Sequence, residues 1–544
     1  MKKIFTKPLV WIIIVFLIAL AFRFYKITEY PVSLSMDEVS IGVNAYSILK
    51  TANDEHGVFL PLAFQSVGDF KPPVNIYLTV ISELVFGLGE FAVRFPSALI
   101  GSLSCVSMIF LLRSLKISWK GSIFGGFWMA ILPWHIHFSR GSFEAVTSLF
   151  FLITGVWLLI DWFGRKRLYT LILSVISLSL SVWAYHAERF FVPIIVIFLL
   201  ICYRKDIDLK VKSIRKQVII ASVVLLIFAI PFVKLAIFTP AIAQRAAVTS
   251  ILREQSLISS MHSGIYTNLT QKVFDNDNFL IIRHWAGKYM NYYDPRLWFW
   301  KGLQFTPPGY PDMGLLYAAD LPFFIYGIYS LIVSKNKKLK QLSLFWLLAG
   351  PLPASFTMNE QHPLRALLWI PFFGIVMAAG FEKFIKDIKK WWLLFIYGGL
   401  LIWSAIYFSD VYTHQFPRFY SESWQFGYKN VSEYACSHIS DYDQIFISDT
   451  FGSLGPLNTG TPYLYTLFYC PKNMENFILT GKQLPQIDFR RPNSDSSKEK
   501  GKLLLIGSTW DFLDGNLYGG KIVDKVVYPN GVDAFWMVEK DAEN

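Results

Sequence analysis

Apolar runs of membrane-crossing length recur through the first 410 residues, separated by short polar stretches. A helix needs about 20 predominantly apolar residues to cross ~30 Å of hydrocarbon. Candidate spans fall near 9–22, 95–112, 121–138, 142–162, 168–184, 190–203, 217–238, 314–333, 341–357, 364–381 and 391–409. The pattern predicts a polytopic α-helical membrane protein with about 11 transmembrane helices. After residue 410 the pattern changes. A helix is predicted over Glu422–His438, and strands over Gln444–Ser448, Leu503–Gly507, Lys521–Tyr528 and Ala534–Glu539, with a polar loop at Asn493–Lys502. The chain therefore divides into a membrane body, 1–410, with a long first loop at 23–94, and a soluble α/β domain, 411–544.

Composition agrees. Of 544 residues, 53% are hydrophobic and only 17% charged, too few charges for a soluble chain of this length. The net charge of +12 does not point to nucleic acid, because the basic residues sit in short clusters between apolar runs. These clusters are Arg113/Lys116/Lys120, Arg165–Arg167, Arg204–Lys216, Lys335–Lys340 and Lys383–Lys390. With the spans above, all fall on the side of Lys2, Lys3 and Lys7, which makes that side cytoplasmic. The assignment requires Val74–Phe86 not to cross. Lys71-Pro72-Pro73 precedes it and Glu83 lies within it, as suits a juxtamembrane helix. The first loop, a loop from Thr239 to Met313, short turns at Arg140, Arg189 and Arg365, and the C-terminal domain are then extracytoplasmic. The N-terminal run resembles a signal sequence, and Ala19-Leu20-Ala21 matches a cleavage pattern. An uncleaved signal anchor is expected, since Arg23 and Lys26 flank the run and the acids beyond it need a helix to hold them. Cys105 and Cys202 lie in apolar runs. Cys436 and Cys470 can pair if the C-terminal domain is extracytoplasmic, although their spacing does not require it.

The chemistry gathers on that outer side. Met36-Asp37-Glu38 places two adjacent carboxylates where water meets lipid, a costly position that usually serves function. Asp37 reads as a general base toward an acceptor hydroxyl or as a helix N-cap, and the two can hold together. Asp54-Glu55-His56-Gly57 and Asp69-Phe70-Lys71-Pro72-Pro73 add acids and a lysine to the same loop. Lys71 either meets a lipid phosphate or snorkels as an interfacial anchor. His135 and His137 form a His-x-His whose members do not share a helix face, weak evidence for metal. Arg140 and Glu144 are four apart, either a structural ion pair or a headgroup contact. Tyr185-His186-Ala187-Glu188-Arg189 and Asn359-Glu360-Gln361-His362-Pro363-Leu364-Arg365 cap two further spans. Arg365 is placed either to bind phosphate or to anchor a helix end. No glycine-rich phosphate loop occurs on the cytoplasmic side.

At these residues the chain resembles the C-type integral-membrane glycosyltransferases. It is most similar to bacterial relatives of the protein O-mannosyltransferases and lipid A aminoarabinose transferases, families 39 and 83. The matching pieces, in order, are Met36-Asp37-Glu38; Asp69 to Pro73; Phe86-Gly87 through Ala92 to Ala98; Pro133 to Arg140; Tyr185 to Pro193; Gly314 to Tyr317; and Pro351 to Ala354 with His362 to Arg365. The resemblance implies an inverting transferase that takes a sugar from a polyprenyl-phosphate donor. It implies Asp37 as catalytic base supported by Glu38. Lys71, Arg140, Arg365 and His362 would hold the donor phosphate, with Asp69, Glu144, Tyr185 and Arg189 in support. No cofactor is required, and a divalent cation at Asp37, Glu38 and His56 is left open. The implied partners are the lipid-linked donor and a lipid, glycan or protein acceptor. The turn from Glu188 to Pro193 fits the family loosely, and no β-trefoil insertion is visible. The alternative reading is a transporter or flippase of lipid-linked glycans. It would need charged residues lining a midplane path, and these are sparse.

Overall fold

The computed structural model describes residues 7–254, 268–274, 276–301, 313–358, 361–388, 390–493, 495 and 499–541. Asn359 and Glu360, parts of the long loop after Thr239, and positions 494 and 496–498 of the polar loop lie outside them.

Each apolar run is built around a helix. Among the described residues five helices are long and apolar enough to cross a membrane: Glu90–Ser114, Glu144–Arg165, Lys212–Phe238, Leu367–Asp387 and Trp392–Tyr420. Shorter apolar helices are Pro8–Phe24, Pro73–Phe86, Leu168–Ala184 and Ala318–Val333. The first part of the chain runs α1 (Pro8–Phe24), α2 (Met36–Thr51), a hairpin of β1 (Phe64–Gln65) and β2 (Phe70–Lys71), α3 (Pro73–Phe86) and α4 (Glu90–Ser114). It continues through α5 (Trp119–Ile131), α6 (Pro133–Arg140) and α7 (Glu144–Arg165). The span expected over 121–138 is thus two helices. Pro133 has no amide hydrogen to extend the ladder of α5, so Leu132 turns extended and α6 restarts on the proline.

Proline and capping chemistry set the first loop in the same way. Pro72-Pro73 opens α3, as expected. Ser35 caps α2: its hydroxyl accepts the Glu38 amide, and the Glu38 carboxylate accepts the Ser35 amide. α1 packs against α4 and α5 with Val15 and Ala19 buried. Arg23 does not anchor at an interface. It is buried, and donates to the carbonyls of Ala19 and Ala130 at 3.0 Å.

The C-terminal part is a five-stranded sheet of order β4-β3-β5-β7-β6. Its strands are β3 (Gln444–Ile447), β4 (Ile487–Asp488), β5 (Leu503–Gly507), β6 (Lys521–Val527) and β7 (Asp533–Lys540). β4, β3 and β5 run parallel, while β7 and β6 are antiparallel to their neighbours. The four strands expected here form within a residue or two at each end. The helix expected over Glu422–His438 begins only at Tyr428, because Gln425 and Gly427 take positive φ (50° and 106°) and break it. Helices at Pro462–Tyr469 and Pro471–Thr480, each with proline in its first turn, and the short β4 were not expected.

This sheet is not a detached appendage. Leu34, Val39, Val43 and Val93 share one core with Tyr428, Leu464, Tyr465 and Ile506. Burying one such aliphatic side chain contributes ~1.5–3 kcal/mol. A Cβ on Gly42 would lie 2.5 Å from the Phe468 ring, so α2 meets the Pro462–Tyr469 helix where only a hydrogen fits. The Tyr465 hydroxyl donates to the Leu34 carbonyl at 2.8 Å, and Lys429 and Tyr469 both reach Glu90. α2 is therefore clamped between the helical body and the sheet. Cys436 and Cys470 form a disulfide, and Cys105 and Cys202 are free thiols.

Candidate functional site

The capping box at the start of α2 decides where its two acids point. Successive helical residues diverge by about 100°, and the cap turns Glu38 inward. Glu38 is fully buried. Its Oε1 accepts from Arg94 Nε at 2.9 Å and from the Ser142 amide at 3.1 Å, and Oε2 from the Ser35 amide at 2.9 Å. Arg94, also fully buried, donates further to the carbonyls of Ile27 at 2.7 Å, Pro31 at 3.0 Å and Ser33, and its guanidinium lies 5.9 Å from the Trp424 ring. Glu38 was expected to support catalysis directly. The structure assigns it instead to a sealed ion pair that joins the first loop, α4 and the turn before α7.

Asp37 faces the other way, with its side chain 49% exposed. The β1–β2 hairpin brings Lys71 to it, Nζ 2.7 Å from Asp37 Oδ1. Glu144, in the first turn of α7 where the helix dipole favours an anion, lies 3.8 Å from the same ammonium. Burial disfavours the Lys71 charge, but the carboxylates of Asp37, Glu144 and Asp69 outweigh it and hold the group above its ordinary value. Asn75 of α3 ties down the start of α7, which carries Glu144: its amide nitrogen donates to Ser142 Oγ at 2.9 Å and its amide oxygen accepts from Thr147 at 2.9 Å. The structure thus brings together Asp37, Lys71, Asp69 and Glu144: an accessible carboxylate beside a buried ammonium whose charge the surrounding carboxylates favour.

Arg140 does not join them. Its guanidinium donates to the carbonyls of Phe22, Arg23, Tyr25, Lys26 and Tyr30, closing off the end of α1. Its expected role on a donor phosphate gives way to this, since each arm of the fork already has carbonyl acceptors. Nor do Arg140 and Glu144 form an i,i+4 pair on one helix, because the chain leaves helix at Gly141 between α6 and α7. Beyond Arg140 opens a mostly apolar cavity of about 280 Å³, lined by Phe22, Tyr25, Tyr30, Phe408 and Tyr412.

His362, Arg365 and Tyr185 gather instead around Tyr292. The His362 amide donates to the Tyr292 hydroxyl at 3.0 Å, and Arg365 donates to the Met358 carbonyl at 3.2 Å. Burial pushes the Tyr292 hydroxyl up, Arg365 pulls it down and Tyr185 raises it, which places all three nearby. The helix Ala241–Thr249 bridges this group to the Lys71 hairpin. Gln244 donates to the Gly68 carbonyl at 3.3 Å, and the Met358 amide donates to the Thr249 carbonyl at 2.7 Å. The Arg189 guanidinium lies 5.4 Å from the Phe232 ring.

The two histidines part company, as their spacing suggested. His135 lies 2.7 Å from a buried Arg23 nitrogen, whereas His137 packs among Phe138, Tyr412, Phe416 and Trp424, so the two histidines serve different surroundings. Glu38 is turned away from Asp37, and His56 is exposed. Among the described residues no three His, Cys, Asp or Glu side chains gather as ligands, and Asp37, Glu38 and His56 do not form such a set. The residues that were not anticipated are Arg94 and Asn75. An arginine at the head of an apolar span was the available signal for the first.

Residues 13–244, somewhat less than half of the chain, match the family model described as dolichyl-phosphate-mannose-protein mannosyltransferase. That stretch holds Asp37, Glu38, Lys71, Arg94 and Glu144. The apo structure of ArnT from Cupriavidus metallidurans matches with a TM-score of 0.51 at 12% identity, covering 99% of this chain and 98% of that one. ArnT bound to undecaprenyl phosphate matches at 0.50, 12% identity, and 98% and 97% coverage. An oligosaccharyltransferase of Archaeoglobus fulgidus matches at 0.49 with 12% identity over 78% of this chain, which spans 55% of that protein. An uncharacterized protein of Aquifex aeolicus is 26% identical over 143 residues, 26% of this chain and 29% of that relative's length. At 12% identity the likeness to ArnT is one of fold, and it extends over the whole chain. The long apolar helices and the family match over residues 13–244 make the chain an integral membrane protein.

Proposed function

We propose that this chain, with the ArnT-like fold and the mannosyltransferase family match over its first half, transfers a sugar from a polyprenyl-phosphate donor to an acceptor hydroxyl. The observation that carries the reading is the Asp37–Lys71–Glu144 arrangement. Asp37 is the accessible acid, and Lys71 is the buried cation at its side. In the reaction the acceptor oxygen attacks the anomeric carbon from the face opposite the phosphate. Its proton passes to Asp37. The bond from carbon to the phosphate oxygen breaks with inversion, and polyprenyl phosphate leaves with the bonding electron pair. Lys71 stabilises the charge on that leaving group, the large electrostatic term in such a displacement. A donor phosphate competes with Asp37 for the ammonium, and that competition frees Asp37 to act as base while Glu144 keeps Lys71 in place. The His362–Arg365 group, linked to the hairpin through Ala241–Thr249, serves the lipid-phosphate end of the donor.

In the same proposal the site and residues 411–544 face the extracytoplasmic side, and the N-terminus and basic loops face the cytoplasm. The one-sided basic clusters support this. So does the Cys436–Cys470 disulfide, a bond that persists in oxidising compartments. Maleimide applied to denatured, unreduced protein isolated from cells should label only Cys105 and Cys202, with Cys436 and Cys470 appearing after reduction. Labelling of all the cysteines before reduction would contradict the assignment.

Lys71→Met tests the chemistry. It should lower kcat/KM for the donor by about 100-fold, the scale of losing one preorganised charge partner, with Lys71→Arg retaining part of the activity. The check is steady-state kinetics at varied donor. Unchanged donor kinetics in Lys71→Met would remove the phosphate role.

A further inference from the structure

Helix α2 carries a polar stripe that continues away from Asp37. Asp37, Ser40 and Asn44 are spaced i, i+3 and i+7, which places them on one face of the helix. The first loop supplies a partner for each. Lys71 meets Asp37 at 2.7 Å, Ser66 Oγ meets Ser40 Oγ at 3.3 Å, and Glu55 Oε1 accepts from the Asn44 amide at 2.8 Å. The Glu55 amide returns a bond to Asn44 Oδ1 at 3.1 Å. These three rungs extend ~10 Å along the axis at 1.5 Å per residue. The neighbouring positions Val39, Ile41, Val43, Ala45 and Ile48 are buried and apolar, so the stripe stands out against the rest of the helix.

Ser66 and Glu55 are only half-buried, whereas Lys71, Ser40 and Asn44 are buried and form the floor of the stripe. Tyr463, at the start of the helix that docks on α2, stands near enough to Glu55 for the carboxylate to raise its hydroxyl, after the larger effect of burial. Its ring lies 6.5 Å from that of Phe489, at the end of β4. The track is therefore walled by the first loop on one side and by the C-terminal sheet unit on the other.

We propose that this track is the acceptor site and that its occupant is a saccharide, a reading that rests on the sugar-transfer function above. The groups present are a carboxylate, an amide and two hydroxyls. Together they accept and donate in alternation, as vicinal sugar hydroxyls require. The Tyr463–Phe489 pair offers an apolar ring surface for the C–H face of a pyranose. Glu55 disfavours an anionic acceptor along the same path. The geometry feeds one acceptor hydroxyl to Asp37 while Glu55 holds a hydroxyl farther along, which makes Glu55 and Tyr463 determinants of acceptor choice.

The test uses the full-length protein in detergent, decaprenyl-phosphate hexoses as donors, and p-nitrophenyl mannobioside and a serine/threonine-rich peptide as acceptor probes. Glu55→Gln should raise KM for the disaccharide about tenfold, the effect of losing one charge-assisted hydrogen bond, with donor KM within about twofold of wild type. Tyr463→Ala, on the other wall, should show the same split, so the test does not hang on one variant's folding. Disaccharide KM unchanged in both variants, a shift in donor KM instead, or transfer to the peptide alone would overturn the saccharide assignment while leaving sugar transfer standing. A wild-type protein that consumes no donor would overturn both.

Discussion

Asp37→Asn should abolish sugar transfer, lowering kcat by about 1,000-fold or more while the protein folds and inserts as before. General-base assistance contributes about 10²–10⁴-fold, and an amide cannot take the proton. The substitution keeps the shape of the side chain and leaves Lys71 near Glu144 at 3.8 Å, so the donor still meets its cation. Asp37 is 49% exposed and Glu144 remains beside the buried Lys71 ammonium, so the substitution should cost less than the ~3–5 kcal/mol of leaving a buried charge uncompensated. The predicted signature is therefore a loss of turnover without a matching fall in thermal stability or donor affinity. Turnover assays beside thermal unfolding of the same preparation check it. An Asp37→Asn protein that still turns over at the wild-type rate would take the base away from this residue.

The neighbouring acid should behave in the opposite way. Glu38→Ala should lower stability by about 3–5 kcal/mol, the cost of breaking a buried ion pair by deleting one partner. Arg94 would be left fully buried without its carboxylate, and the amides of Ser35 and Ser142 would lose their acceptor. The cap of α2 would loosen with them, and α2 carries Asp37. Activity would fall as a consequence of this unfolding. Glu38→Gln, which keeps an acceptor for the amides but loses the charge opposite Arg94, should lie between Ala and wild type. Thermal unfolding in detergent, compared among the three proteins, reads the series. A Glu38→Ala protein as stable as wild type but inactive would return Glu38 to the chemistry.

Why these two adjacent acids separate so sharply was partly written in the chain. Ser35-Met36-Asp37-Glu38 carries the S-x-x-E signature of a capping box, which commits Glu38 to the backbone. Arg94 as its partner depends on a contact 56 residues away, which no local pattern encodes. The same limit governs Arg140. Its position at a helix end suggested a headgroup contact, but its acceptors are carbonyls more than 100 residues earlier in the chain. Glu144 looked like a helical partner of Arg140 until the turn at Gly141 split α6 from α7 and aimed it at Lys71. The apolar runs, by contrast, were legible because burial in a helical membrane body is a length and composition property. The sheet strands were legible because short apolar runs such as Leu503–Gly507, and segments rich in Val, Ile and aromatic residues, mark them locally. The helices at Pro462–Tyr469 and Pro471–Thr480 were announced only by their prolines, and their docking on α2 through Gly42 and Phe468 is a tertiary fact. Asp37, Lys71 and Asp69 stood out in the sequence because a lysine and acids at a lipid–water boundary are energetically conspicuous even one at a time.

The most direct measurement is the mass and anomeric configuration of the products formed when purified wild-type protein is incubated with a panel of polyprenyl-phosphate sugars and hydroxyl-bearing acceptors. The predicted result is free polyprenyl phosphate together with an acceptor heavier by one sugar residue, its new linkage inverted relative to the donor. Every donor recovered intact, or a product formed equally well by Asp37→Asn, would contradict the account.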